Sequence, residues 1–162
     1  MTLTLPSAPF RPVLLFTSLL AFVLSLPTSA RAGAINEILP DDQALSQLEQ
    51  HAQLANPREQ CFLYTELVHT MTEIAGKQML AGDVDTASLT LKRVEHYAQL
   101  IHMGLTNDTK RLKNAEMLMH HTTHRLGDYL HAASSDDRAT LEATLKQLNQ
   151  VQDELLAQVF KH

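Results

Sequence analysis

Tryptophan is absent from this chain, cysteine occurs once, and aromatic residues make up only 5% of the 162 positions. A lone cysteine, Cys61, cannot close an intramolecular disulfide, so the fold is not a disulfide framework and Cys61 reads as a small buried thiol. Cys-x-x-Cys-His is missing, which removes covalent haem attachment. Gly-x-Ser-x-Gly, His-Glu-x-x-His and a phosphate-cradling glycine loop are missing too, and with them the local signatures of hydrolases, zinc peptidases and nucleotide binders. The chain therefore reads as non-enzymatic. No stretch alternates apolar and polar residues as a strand would, and with so few aromatics the packing falls to leucine, alanine and methionine.

What is present begins with a leader. Arg11 flanks an apolar run from Val13 to Leu26, and Ala30-Arg31-Ala32 has the small-x-small form of a cleavage site. That run is about 14 residues, short of the roughly 20 a membrane-spanning helix needs. Residues 1–32 are thus expected to be a cleaved signal peptide, 33–40 a linker and 41–162 the folded domain. Export to a periplasm or to the cell exterior follows, with no stable membrane span after cleavage. The whole chain carries a formal charge of −5; once Arg11 and Arg31 leave, the remaining basic residues face 18 acidic ones and the net becomes more negative. Such a balance does not suit a nucleic-acid binder.

The rest of the chain carries helical periodicity. Asp41 and Asp42 precede a short segment through Ala55, with Ala44, Leu45, Leu48, Ala52 and Ala55 on one side. Asn56-Pro57 combines a favoured N-cap with a residue suited to the first helical position. From Pro57 to about Leu80, Cys61, Tyr64, Val68, Met71 and Ala75 form an apolar stripe that Leu63, Leu67 and Ile74 widen, so more than one neighbour is expected. Glu66, His69 and Glu73 fall opposite it and are expected in solvent. Gly82 stops that helix and Asp83 or Asp85 caps the next, whose residues Ala87, Leu91, Val94, Ala98, Ile101 and Leu105 step 4-3-4-3-4. A further helix is expected from about Asp108 to Ala133, oddly with Lys110, Arg111 and Lys113 in its first turns, where the helix dipole favours acids. The last helix follows Ser134-Ser135-Asp136-Asp137, with a seam of Leu141, Leu145, Leu148, Gln152, Leu155 and Val159. One polar seam residue, Gln152, fits a register-fixing role. The fold class that results is all-α: an antiparallel up-and-down four-helix bundle with a short extra N-terminal helix.

Four of the nine histidines lie between Glu116 and His131. Stepping about 100° per residue from Met119 places Glu116, His120, His124 and His131 within about 80° of one another, while His121 points to solvent. Imidazoles at i and i+4 with a carboxylate one turn earlier match the needs of zinc, copper or nickel, so these four are the candidate metal ligands. The plainer reading, and the favoured one, is that they cover a helix–helix seam, with no cofactor. Glu66-Leu-Val-His69 has the Glu-x-x-His spacing of carboxylate-bridged di-iron bundles but no second copy in the later helices. The partner expected from the heptad seam is another protein or a second copy of the chain.

Overall fold

The computed structural model describes residues 42–106 and 109–161, and these are all helical or connecting, with five helices and no strand. The leader expected at 1–32, the linker expected at 33–40, and Asp41 lie outside the described residues.

Helix α1 (Asp42–Leu54) ends where the Gln60 side-chain amide donates to the carbonyls of Ala52 and Gln53. Helix α2 (Pro57–Leu80) starts as its sequence dictates: Asn56 Oδ1 accepts from the Arg58 N–H at 3.0 Å, and Pro57 occupies the first turn. It stops at Gly82, whose φ of +81° places the chain in the left-handed region that only glycine adopts without strain. There Asp83 N–H bonds the Gln78 carbonyl and Gly82 N–H the Met79 carbonyl, a Schellman closure. Asp83 then turns around to cap α3 (Val84–Gly104), accepting from Thr86 N–H. Helix α4 spans Leu112–Ala132 and α5 spans Ser135–Val159.

Helix α2 packs on α3 and α4, α3 also packs on α5, α5 also packs on α4, and the backbone of α1 lies against α2, with the Glu49 side chain reaching α3. The register shows the directions. Between α2 and α4, His69 meets Thr122 and Glu73 meets Arg125, so the two run parallel. Glu95 with Thr144 and His102 with Glu154 make α3 and α5 parallel as well. Gln78 with Thr90, and Tyr64 stacked on Tyr97 at 5.7 Å, make α2 and α3 antiparallel. Among the described residues α3 and α4 make no packing contact although they follow one another in the chain. Their connection crosses between two hairpins, and Lys110 N–H donates to the Arg58 carbonyl to bring the start of α4 beside the start of α2.

That crossing explains the misplaced positive charges. Lys110 and Arg111 stand before α4 rather than inside it, so the helix begins at Leu112. Arg111 takes φ +56°, its guanidinium lies 3.4 Å from the centre of the Phe62 ring, and Lys110 Nζ pairs with Glu59 at 3.2 Å. A cation over an aromatic face and an ion pair recruit both side chains to α2, leaving Lys113 alone in the first turn.

The core is built around Leu67, Val68 and Met71 of α2, Leu91, Val94 and Ile101 of α3, Met119 and Leu126 of α4, and Leu141, Leu148 and Leu155 of α5. The α3 stripe is as its spacing implied, except that Leu105 is only partly buried and lies just past the helix end. Two stripes differ. Ala44 of α1 is exposed, and the buried face of α5 runs through Leu141, Thr144, Leu148, Val151 and Leu155, with Leu145, Gln152 and Val159 moved to its flank. Helix α5 faces α3 and α4 together, and its rotation satisfies both. Buried threonines lose no hydrogen bond: Thr65, Thr72 and Thr144 each donate to a carbonyl one turn back.

Candidate functional site

The polar chemistry of the interior is concentrated on the face between α2 and α4. Because the two helices run parallel, residues that climb α2 at one-turn steps meet residues that climb α4 at the same steps. Glu73, expected in solvent, is instead buried at 3% exposure. Its Oε1 accepts from Arg125 Nε at 2.8 Å, and its Oε2 accepts from Arg125 Nη2 at 3.0 Å and from the Tyr129 hydroxyl at 2.8 Å. Arg125 Nη2 also donates to the Tyr129 oxygen at 2.9 Å. A two-pronged guanidinium–carboxylate pair with a phenol bridging both is among the stronger hydrogen-bonded arrangements available to side chains. Tyr129 is seated by Gly76: a Cβ at that position would lie 2.2 Å from ring atoms Cε2 and Cζ. Beside this ring a hollow of about 370 Å³ opens among Met79, Leu80, Ala132 and Ala133.

The electrostatics follow from these contacts. Burial pushes the Glu73 carboxyl up, but hydrogen bonds from Arg125 and Tyr129 and the Arg125 charge more than reverse it, leaving Glu73 below the ordinary carboxylate range. Its hydrogen bonds to Glu73 in turn hold the Arg125 guanidinium more firmly protonated. A carboxyl whose folded-state pKa is depressed contributes stability above its unfolded value and loses it as pH falls through the folded value. Glu66 has the opposite sign, because burial raises it against weaker opposing pulls from Arg111 and His51. Its contribution is lost as pH rises from the unfolded carboxylate value through the raised folded one. Unfolding midpoints followed by circular dichroism are therefore expected to fall below about pH 4 in the native chain. A Glu73→Gln variant should show a shallower fall over the same range, and an unchanged slope would contradict the Glu73 assignment.

One turn below Glu73, His69 Nδ1 lies 3.0 Å from Thr122 Oγ1, and the Thr122 hydroxyl donates to the Leu118 carbonyl at 2.7 Å. The His69 ring faces that of His121 with centroids 5.4 Å apart and planes tilted by 60°. His69, like Glu73, was expected in solvent and is instead partly buried.

The four residues of the candidate metal flank have separate engagements. His120 Nδ1 lies 2.9 Å from Gln152 Nε2, and the other end of that amide accepts from Thr123 Oγ1 at 2.8 Å. His124 is exposed and approaches Asp128 Oδ2 at 3.5 Å. His131 Nδ1 lies 2.6 Å from the Gly127 carbonyl. Glu116 is partly buried one turn before His120. Among the described residues no three His, Cys, Asp or Glu side chains are gathered as a metal ion would require. The Gln152 amide joins α5 to α4 through His120 and Thr123 from the flank of α5, outside the buried seam in which it was expected. Cys61 is buried and its thiol is pushed up to about 12 by desolvation, which keeps it protonated at neutral pH.

On the other side of α2, Glu49 of α1 accepts from the Tyr97 hydroxyl at 3.0 Å and pairs with Arg93. This tethers the short first helix to α3, and burial together with the Glu49 hydrogen bond raises the Tyr97 phenol to about 12. No family model matches the chain, and neither a curated protein nor a solved structure matches it.

Proposed function

We propose that the chain is exported and acts without catalysis, as a four-helix bundle with a short extra helix that engages another protein or a second copy of itself; its packed pairs α2/α4 and α3/α5 run parallel, in place of the antiparallel up-and-down neighbours expected from short loops. The observation that carries this reading is the placement of exposed apolar side chains. Leu54 is 87% exposed, Phe160 82%, Met103 63% and Met117 59%. Leu54 closes α1 beside the start of α2, Met103 lies in the last turn of α3, Met117 in the second turn of α4, and Phe160 just after α5. Parallel pairing of α2 with α4 and of α3 with α5 brings all four to the same end of the helices. Leu80 and Leu89, 69% and 62% exposed, stand toward the other end, but the two most exposed, Leu54 and Phe160, share this one; water exposure of such area is unfavourable by about 25 cal/mol per Å², which supports an interaction surface here. The interior polar groups, by contrast, are spent on one another: among the described residues the buried side-chain oxygens and nitrogens have partners, Gln158 Oε1 excepted. No helix among the described residues is long and apolar enough to cross a membrane.

The test compares the chain from residue 33 onward with a Leu54→Ser, Met103→Ser, Phe160→Ser variant. Sedimentation velocity and cross-linking in the exported fraction are expected to show self-association or a defined complex for the native sequence and its loss in the variant. A strictly monomeric protein with no cross-linked product, or a complex that the three substitutions leave intact, contradicts the proposal. Export is read separately from the mass of the protein recovered outside the cytoplasm, expected to begin at Gly33.

A further inference from the structure

We infer that the occupant of the interaction surface proposed above, on which this inference rests, is the opposite end of a second copy of the chain. The Phe160 side chain of one molecule enters the hollow beside Tyr129 of the next, and copies join head to tail.

Three observations carry it. The first is a knob and a socket that fit. Phe160, just after α5, is among the most exposed large apolar side chains of the described residues. The hollow of about 370 Å³ beside Tyr129 is walled by Met79, Leu80, Val84, Ala132 and Ala133, and both Leu80 and Val84 leave apolar surface in water. An apolar cavity of about 150 Å³ takes up benzene, so the space is ample for a phenyl ring. Docking covers apolar surface on both molecules at once.

The second is distance. Asp137, at the start of α5, lines the hollow, and Phe160 follows the end of that same helix. At about 1.5 Å per residue the helix separates the two by roughly 35 Å. Phe160 therefore cannot fill the hollow of its own chain, and a separate molecule must bring knob and socket together.

The third is charge. Among the described residues in the helix-terminal turns and the segments joining them, the end that carries Phe160 has Arg58, Lys110, Arg111, Lys113 and Lys161 against the acid Glu59. The end that carries the hollow has Asp83, Asp85 and Asp137 against Lys77 and Arg138. Two basic ends repel each other, whereas a basic end is drawn to one with an acidic excess. Unlike ends therefore meet, and Lys161 arrives on the Asp137 side of the hollow as Phe160 enters it. Because the two surfaces differ, each added copy leaves one knob and one hollow open for the next.

Sedimentation velocity of the purified chain at rising concentration tests this. The native chain is expected to pass from single molecules to pairs and then to longer species. Phe160→Ser removes the knob and Ala132→Arg places a long cation in the hollow; each is expected to weaken association at least about tenfold, as loss of a central aromatic anchor does. Both positions are exposed, and an arginine in the last turn of α4 suits the helix dipole, so the thermal midpoints of the single molecules should match the native one. Mixed in equal amounts, the two variants retain one knob and one hollow between them and should form pairs and nothing longer. Added salt should weaken the native assembly, because charge draws its ends together. Association that Phe160→Ser abolishes and Ala132→Arg leaves intact overturns the head-to-tail contact while the interaction surface stands. A native chain that stays single yet cross-links to a different protein does the same. A mixture that forms no pairs, or a native assembly indifferent to salt, also overturns the contact, and a chain that forms no complex of any kind overturns the interaction surface with it.

Discussion

Glu73→Ala is expected to destabilise the protein by about 3 kcal/mol, within the range for removing one partner of a buried ion pair. Two groups lose their acceptor at once. The Tyr129 hydroxyl, on a ring that is only 8% exposed, loses the carboxylate to which it donates, and losing the partner of a buried polar group costs about 1–3 kcal/mol. Arg125 fares better, because its side chain is 36% exposed and can turn its guanidinium toward water, which keeps the expected loss below the upper end for a fully buried pair. For a domain of this size the midpoint of thermal unfolding should fall by roughly 10 °C. A double-mutant cycle with Arg125→Ala isolates the pair: a coupling of about 1–3 kcal/mol is expected. Additive single effects would mean that the helices are held together by their apolar contacts alone at this level.

The second large effect is expected at Gly76. A methyl group there meets the Tyr129 ring at 2.2 Å, well inside any real contact, so the ring must move. Tyr129 cannot slide freely, since its hydroxyl is tied to Glu73 and to Arg125. Gly76→Ala should therefore cost about 2–3 kcal/mol, the overpacking penalty outweighing the gain of about 1 kcal/mol that alanine brings to a helix interior. Gly127 of α4 is the matched control, because nothing lies within 4 Å of the Cβ it would carry. Gly127→Ala is expected to stabilise by up to about 1 kcal/mol. Chemical denaturation of the two variants side by side measures both signs, and a stabilised Gly76→Ala would show that the Tyr129 ring is not seated on Gly76 in solution.

These two positions mark where one-dimensional pattern stops being informative. Glu73 falls opposite the apolar stripe of its helix, and polar residues opposite a stripe are assigned to solvent by default. That default holds for a helix with one covered face. Helix α2 has α1, α3 and α4 around it, so its polar side is an interior as well, made tolerable by an arginine 52 residues later in the chain. The widened stripe of Leu63, Leu67 and Ile74 signalled several neighbours, and a buried acid with a charged partner could have been inferred from that width; which partner could not. The histidines show the same limit. Helical spacing groups residues of one helix, so it favoured His120 with His124, whereas His69 and His121 meet only because α2 and α4 run parallel and side by side.

By itself the sequence determined what short-range chemistry decides: a helical chain, the start of α2 at Asn56-Pro57, its stop at Gly82, a cap at Asp83 or Asp85, and the buried stripe of α3 up to Ile101. Each depends on backbone groups or side chains within about two turns, where the next residues are the environment. The tertiary structure alone decided the crossing from α3 to α4, the rotation of α5 toward Thr144 and Val151, the burial of Glu73 and the meeting of His69 with His121. Those depend on which helix faces which. Many pairings bury similar apolar area, and the choice among them rests on long-range contacts such as Arg111 over Phe62 and Lys110 against the start of α2.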